Sequence, residues 1–219
     1  MHNIINNLKK IQNQIKDIKK TQLIDSLNII AVSKTFEMSK IIPLVEYGHI
    51  HFGENKIQES LSKWPKIKEQ YPNLKLHMLG KIQSNKAKFL LPLFDYIHSL
   101  DNLKLAKKIS ELQVKQKVKP KIFIQINIGN EIQKSGIEIE NLKSFYNECT
   151  KNLGLEIIGF MCLPPSNKKP SKYFNLMRDL KNIYKLTDLS MGMSGDYIEA
   201  IKNEATYLRI GSSIFGPRN

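Results

Sequence analysis

Lys34 ends the apolar run from Leu27, and two loops of small residues lie near the other end of the chain. They are Leu189-Ser190-Met191-Gly192-Met193-Ser194 and Arg209-Ile210-Gly211-Ser212-Ser213-Ile214-Phe215-Gly216. A lysine amine in water is protonated up to a pKa of about 10.4, but desolvation at the end of a buried strand favours the neutral form, which attacks an aldehyde and forms a Schiff base. Gly and Ser residues at a helix start present backbone N–H groups and hydroxyls to a phosphate dianion. Ser194 offers a hydroxyl, Gly211 lets the backbone approach closely, and Ser212 offers an amide and a hydroxyl. An amine facing an anion cup predicts a phosphorylated aldehyde as ligand, pyridoxal 5′-phosphate.

Three further positions bear on that chemistry. Arg209 precedes the second loop and is placed to donate a hydrogen bond to a ring nitrogen; a guanidinium does not release its proton, so the nitrogen would stay unprotonated and the ring a weak electron sink. The alternative for Arg209 is a salt bridge at a barrel rim. Asn55 follows Gly53, read as a tight turn, and serves a ligand, the N-cap of the next helix, or both. His77, ahead of Gly80-Lys81-Ile82-Gln83-Ser84-Asn85-Lys86, is either a barrel-lining histidine satisfied by its neighbours or a proton carrier.

The elements that must position these residues are legible in the hydrophobic pattern. Ile4, Leu8, Ile11, Ile15 and Ile18 recur at helical spacing and predict an amphipathic N-terminal helix packed outside the domain. After it, strand-like runs alternate with helical stretches: 28–33, 49–52, 75–79, 96–98, 121–128, 155–161, 188–190 and 207–210. About eight strands in strict β-then-α order predict a TIM-type (β/α)8 barrel with an additional N-terminal helix, a single domain over 1–219. A doubly wound open sheet is the rival. Ser39 is expected to cap the helix that Gly48 ends, with Pro43 near its first turn, and Asn102 to cap the helix carrying Leu105, Ile109 and Leu112.

Composition narrows the function classes. No apolar stretch reaches the roughly 20 residues of a membrane span, and the N terminus lacks a secretory signal, so a cytoplasmic protein is expected. Cys149 and Cys162 fit no metal spacing and read as buried apolar residues. The net charge of +14 and pI near 9.6 are carried almost entirely by Lys spread along helices. That is a solvated surface rather than a nucleic-acid footprint, although an RNA-associated basic protein is the alternative from another class.

The segments Ala31-Val32-Ser33-Lys34, Phe52-Gly53-Glu54-Asn55, His77 with Gln83-Ser84-Asn85-Lys86, Lys134-Ser135-Gly136, Met191-Gly192-Met193-Ser194 and Arg209-Ile210-Gly211 through Phe215-Gly216 resemble, in order, the pyridoxal phosphate homeostasis proteins. The resemblance runs from about Ile30 to Gly216. It implies a barrel akin to the N-terminal domain of alanine racemases, with the cofactor on Lys34, its phosphate at Ser194, Gly211 and Ser212, its ring nitrogen at Arg209 and its polar edge at Asn55. Ser212 stands where relatives commonly have Thr, and Gly80-Lys81-Ile82-Gln83 departs from their Gly-Pro-Leu-Gln. It further implies a monomeric, non-catalytic carrier that stores or delivers the cofactor, with apo-forms of pyridoxal phosphate enzymes as recipients and no metal. Racemisation needs a base on each face of the substrate, and alanine racemases take the second from a C-terminal domain and partner subunit; a weak amino-acid racemase is the remaining alternative.

Overall fold

Short runs of Ile, Val, Phe and Tyr suit a pleated surface covered on both sides, and parallel pairing buries them there. In the computed structural model, which describes residues 3–19, 27–131, 133 and 135–217, they form β1 (Asn28–Val32), β2 (His51–Glu54), β3 (Lys75–Met78), β4 (Tyr96–Leu100), β5 (Lys121–Ile126), β6 (Ile157–Cys162), β7 (Asp188–Ser190) and β8 (Tyr207–Ile210). All neighbours are parallel, and β1 pairs with both β2 (Ala31 opposite Phe52) and β8 (Ile30 opposite Arg209), so the sheet closes into a barrel in strand order. The expected (β/α)8 topology holds, and the open sheet is excluded by the β1–β8 pairing.

Ten α-helices accompany the strands among the described residues: α1 (Asn3–Lys19), α2 (Met38–Glu46), α3 (Ile57–Lys63), α4 (Pro65–Gln70), α5 (Ala87–Leu90), α6 (Leu103–Gln116), α7 (Ile139–Asn147), α8 (Ser171–Ile183), α9 (Tyr197–Lys202) and α10 (Ser212–Phe215). The additional N-terminal helix, α1, buries Leu8, Ile11 and Ile15, and its Asn7 amide donates to Ile214 O at 3.0 Å, which ties it to α10. Asn102 caps α6 as expected, its Oδ1 accepting from Leu105 N at 2.9 Å. Gly48, at φ +91°, ends the α2 segment in a conformation that a Cβ disfavours.

Several boundaries differ, each for a local reason. Lys40 N–H already bonds Glu37 O, so α2 starts before Ser39, which lies inside it and caps nothing, and Pro43 falls in its second turn. His49 N–H bonds Leu44 O as a tail of α2, so β2 starts two residues later than expected. Gly53 is then not a turn but a strand residue, where a Cβ would lie 2.6 Å from Leu79 Cδ1 and 2.7 Å from Ile30 Cγ2. Leu155 N–H is taken by Cys149 O, which delays β6 to Ile157.

The core has two layers. The outer one lies between helices and sheet; inside the barrel, Ile30, Tyr96, Phe123, Met161 and Tyr207 form a separate cluster. Cys149 and Cys162 are free and buried, and burial pushes each thiol up to about 12, consistent with the inert role expected of them. Among the described residues no helix is long and apolar enough to cross a membrane, and no His, Cys, Asp and Glu cluster could hold a metal.

Candidate functional site

Lys34 lies half-buried in the turn after β1, at the C-terminal mouth of the barrel, where βα loops build sites. The residues on either side of it are held by α3. Ser33 is fully buried; its N–H donates to Gly53 O at 2.9 Å, and its Oγ donates to Glu54 Oε1 at 2.8 Å. Lys63 Nζ donates to Ser33 O, Glu54 Oε1 and Glu59 Oε1, and Trp64 Nε1 donates to Glu54 Oε1. Thr35 N–H donates to Glu59 Oε1 at 2.7 Å, which holds this β-branched residue at φ +68°. That conformation costs of order 1–2 kcal/mol for an L-residue and persists because the surrounding bonds over-determine it. Those bonds fix the backbone that carries the amine.

The two late loops meet as expected. Ser213 N–H donates to Ser194 Oγ at 3.2 Å, joining the β7–α9 loop to the start of α10, and Gly211 is the N-cap of that helix. The Ser212 amide lies in the first turn, where no intrahelical acceptor exists. The nearest neighbours of a Cβ at Gly211 would be atoms of Val32, at 3.4 Å or more, so the protein itself tolerates a methyl there and glycine is not demanded by packing.

Asn55 is not a helix cap. The N-cap of α3 is Lys56, and Asn55 Oδ1 is a buried acceptor with no hydrogen-bond partner. Its backbone is clamped by Gly80, where a Cβ would lie 2.1 Å from Asn55 O and 2.8 Å from its Cα, while Gly80 O is itself held by Ser99 Oγ at 2.6 Å. Replacing Gly80 with Ala must therefore displace Asn55. Urea denaturation of Gly80→Ala is expected to show a loss of about 1–3 kcal/mol; an unchanged midpoint would mean that the two loops are not locked together.

Arg209 does not make the salt bridge that was its alternative reading. It is 5% exposed and has no carboxylate within ion-pair distance among the described residues. Its Nη1 donates to Ser190 O at 2.5 Å and Ser190 Oγ at 2.8 Å, and its Nη2 to Cys162 O at 2.8 Å. Burial works against its charge, which these neutral acceptors stabilise directly and Asp196, beyond ion-pair distance, favours more weakly. Three of the five guanidinium N–H donors are used in this way, leaving two for the cavity.

His77 is fully buried and is not at the mouth. It stands between His51 and His98, with His51 Nδ1 to His77 Nε2 and His77 Nδ1 to His98 Nε2 both at 2.9 Å, and it stacks on Tyr96 at 4.3 Å. The reading of a histidine satisfied by its neighbours is the one the geometry supports. Sequence reasoning missed those neighbours: His51, His98 and Ser190 sit at alternate positions of separate strands, and only barrel closure lines them up.

One cavity of about 840 Å³ at the mouth is lined by Lys34, Asn55, Ser194, Arg209, Gly211 and Ser212 together, all six of the expected residues. Ser135 lines it too, and its carbonyl accepts from Gln125 Nε2 at 3.0 Å; Lys134 of the same motif lies outside the described residues. Gln125, Asn127 and Lys81 were not anticipated as lining residues. The amine, the orphan amide oxygen, the guanidinium and the hydroxyl-rich helix start can hold a planar, phosphorylated carbonyl compound.

Comparison with known proteins is consistent with this geometry. The family model described as "Alanine racemase, N-terminal domain" matches residues 5–219. The pyridoxal phosphate homeostasis protein of Haemophilus influenzae is 33% identical over 231 residues, covering 99% of this chain and 97% of that protein. PipY of Synechococcus elongatus, solved with pyridoxal phosphate bound, superposes with a TM-score of 0.83 at 30% identity, covering 97% of this chain and 100% of that one. Alanine racemase of Bartonella henselae shares the fold at 17% identity, with a TM-score of 0.73; 98% of this chain covers 58% of that one.

Proposed function

We propose that this chain, which belongs to the pyridoxal phosphate homeostasis protein family and carries its alanine racemase N-terminal domain barrel, holds pyridoxal phosphate reversibly for storage or delivery inside the cell. The observation that carries this reading is the convergence of Lys34, Asn55, Ser194, Arg209, Gly211 and Ser212 on one cavity. The residues fit the group: Asn55 Oδ1 is a buried acceptor in need of a donor, and the start of α10 offers amides and hydroxyls to a dianion.

Pyridoxal phosphate supplies an aldehyde that condenses with an amine and a ring that draws electrons from whatever carbon is attached to it. Lys34 provides the amine, oriented by the Glu54, Glu59 and Lys63 bonds to its flanking residues. Ser194, Gly211 and Ser212 would hold the phosphate. Arg209, a donor that does not release its proton, would face the ring nitrogen and keep it unprotonated, which weakens the electron sink. The ionisable residues among the described cavity lining are Lys34, Lys81 and Arg209, with no carboxylate, imidazole or phenol beside them. This supports holding the cofactor over turning over an amino acid.

The test is to titrate the purified protein with pyridoxal phosphate while following visible absorbance, then to add excess apo-form of a pyridoxal phosphate enzyme and single alanine enantiomers in turn. One equivalent bound, transferred to the apo-enzyme without racemisation above free cofactor, is expected. Failure to bind the cofactor would overturn the reading; turnover of one enantiomer would replace it with a racemase.

A further inference from the structure

We propose that Ser190, His98, His77 and His51 form a polarised hydrogen-bond relay through the barrel interior that positions Arg209, with each imidazole neutral and carrying its hydrogen on Nε2. The inference about Arg209 rests on the cavity reading above; the relay itself does not.

The links are continuous. Arg209 Nη1 lies 2.8 Å from Ser190 Oγ, Ser190 Oγ 2.8 Å from His98 Nδ1, His98 Nε2 2.9 Å from His77 Nδ1, and His77 Nε2 2.9 Å from His51 Nδ1. They join β8, β7, β4, β3 and β2, from the mouth to the N-terminal face where His51 begins its strand. The walls are aromatic: His77 stacks on Tyr96 and His98 on Phe123, both at 4.3 Å, with Tyr207 against all three imidazoles.

The sense of the relay follows from counting hydrogens. A neutral imidazole has one donor and one acceptor, and each nitrogen-to-nitrogen contact holds one hydrogen. Arg209 can only donate, so Ser190 Oγ accepts from it. The Ser190 hydroxyl hydrogen then has one acceptor among the described residues, His98 Nδ1. With that nitrogen accepting, His98 donates from Nε2 to His77, and His77 donates from Nε2 to His51. The opposite sense would give Ser190 Oγ two donors and leave its own hydrogen unpaired, which is costly for a fully buried group.

Burial holds His77 and His98 well below the ordinary 6.5, and the Arg209 charge pushes His98 the same way, so neither adds a positive charge beside the guanidinium. Aligned bonds polarise one another, so the chain turns its acceptor end toward Arg209. Ser190 and the three histidines thus do for the buried guanidinium what a carboxylate does elsewhere, without supplying a proton acceptor that would change the ring nitrogen. They are positioning residues.

The first test uses the native chain without cofactor. Long-range 1H–15N correlation of histidine-labelled protein at neutral pH should show His51, His77 and His98 with protonated Nε2 and bare Nδ1. A hydrogen on Nδ1 of His77 or His98, or an imidazolium, would overturn the relay. The second test loads Ser190→Ala, Ser190→Thr and His98→Phe with pyridoxal phosphate. Borohydride should still fix the cofactor on Lys34 in all three, while the visible absorption maximum moves in Ser190→Ala and His98→Phe and returns in Ser190→Thr. An unmoved maximum with the adduct intact means that the relay does not position Arg209. If even the native chain gives no adduct, the cavity reading fails and the assignment of Arg209 falls with it, while the tautomer pattern still decides whether the relay exists.

Discussion

Borohydride reduction of the cofactor-loaded protein is expected to leave a pyridoxyl group on the peptide containing Lys34, and Lys34→Ala is expected to leave none. Complete loss from one truncation, in a chain so rich in lysine, would follow from position rather than abundance. Lys34 is half-buried in the cavity wall, with Ser33 and Thr35 on either side locked by Glu54, Glu59 and Lys63. A fixed amine near a bound carbonyl gains the advantage of an intramolecular reaction, which no mobile surface lysine shares. The fold should survive, because the hydrophobic core does not include Lys34 and the bonds that set its turn are made by Ser33 and Thr35. Circular dichroism of the variant should match the native chain, and the phosphate side should still bind the cofactor weakly and reversibly. Lys81 is the informative control, since it lines the same cavity on an exposed loop. An adduct of native yield on Lys81, or anywhere else in the variant, would sink the assignment of Lys34.

The parts of the site that were legible beforehand share a property: their chemistry is local in sequence. Lys34 at a strand end and Gly211-Ser212 at a helix start are visible because strand, turn and helix start follow one another within a few residues. The barrel was legible for the same reason, since each βα unit announces itself through its own hydrophobic period. What stayed hidden depends on residues far apart in the chain. The Asn55 side chain looked like a cap because a polar residue before α3 is the usual signal; only the contact with Gly80, 25 positions on, shows why its backbone goes elsewhere. Arg209 was read as a donor to a ring nitrogen, with a rim salt bridge as the alternative, and nothing local could indicate Ser190, two strand ends and a helix away. His51, His77 and His98 each occupy an inward position of their own strand, and alternation alone does not tell which inward residues of different strands touch. Sequence distances of 26 and 21 residues become 2.9 Å contacts only through the barrel's register.

The same histidines make the protein sensitive to acid, and this is the second large effect. His49 and His51 are held at about 4, and His77 and His98 well below 6.5, in each case chiefly by burial. The groups facing them do not reverse this: Lys75 and His49 or His51 repel a proton, Lys68 lies toward His77 and Arg209 faces His98, while Asp95 beside His51 and the His51 and Ile29 carbonyls beside His49 pull the other way more weakly than burial. Since the folded values are depressed, folded and unfolded chains are both neutral here above pH 6.5, and the full stability is present. Below 6.5 the unfolded chain binds protons that the folded one refuses, so stability falls by about 1.4 kcal/mol per pH unit for each histidine until its folded value is reached. For His49 and His51 alone this gives a limiting slope of roughly 3 kcal/mol per unit, so a descent from pH 7 to 5 removes about 4 kcal/mol, a large part of the stability of a domain, and His77 and His98 act in the same direction. The protein without cofactor should therefore lose stability steeply between about pH 6 and 4.5, before most carboxylates titrate. Urea denaturation at a series of pH values measures the slope directly, and His49→Gln, which keeps a donor for His51 O, should lower it by about 1.4 kcal/mol per unit. A stability that stays level from pH 7 to 5 would mean that these imidazoles take up protons in the folded barrel, and a relay of neutral rings could not then exist at acid pH.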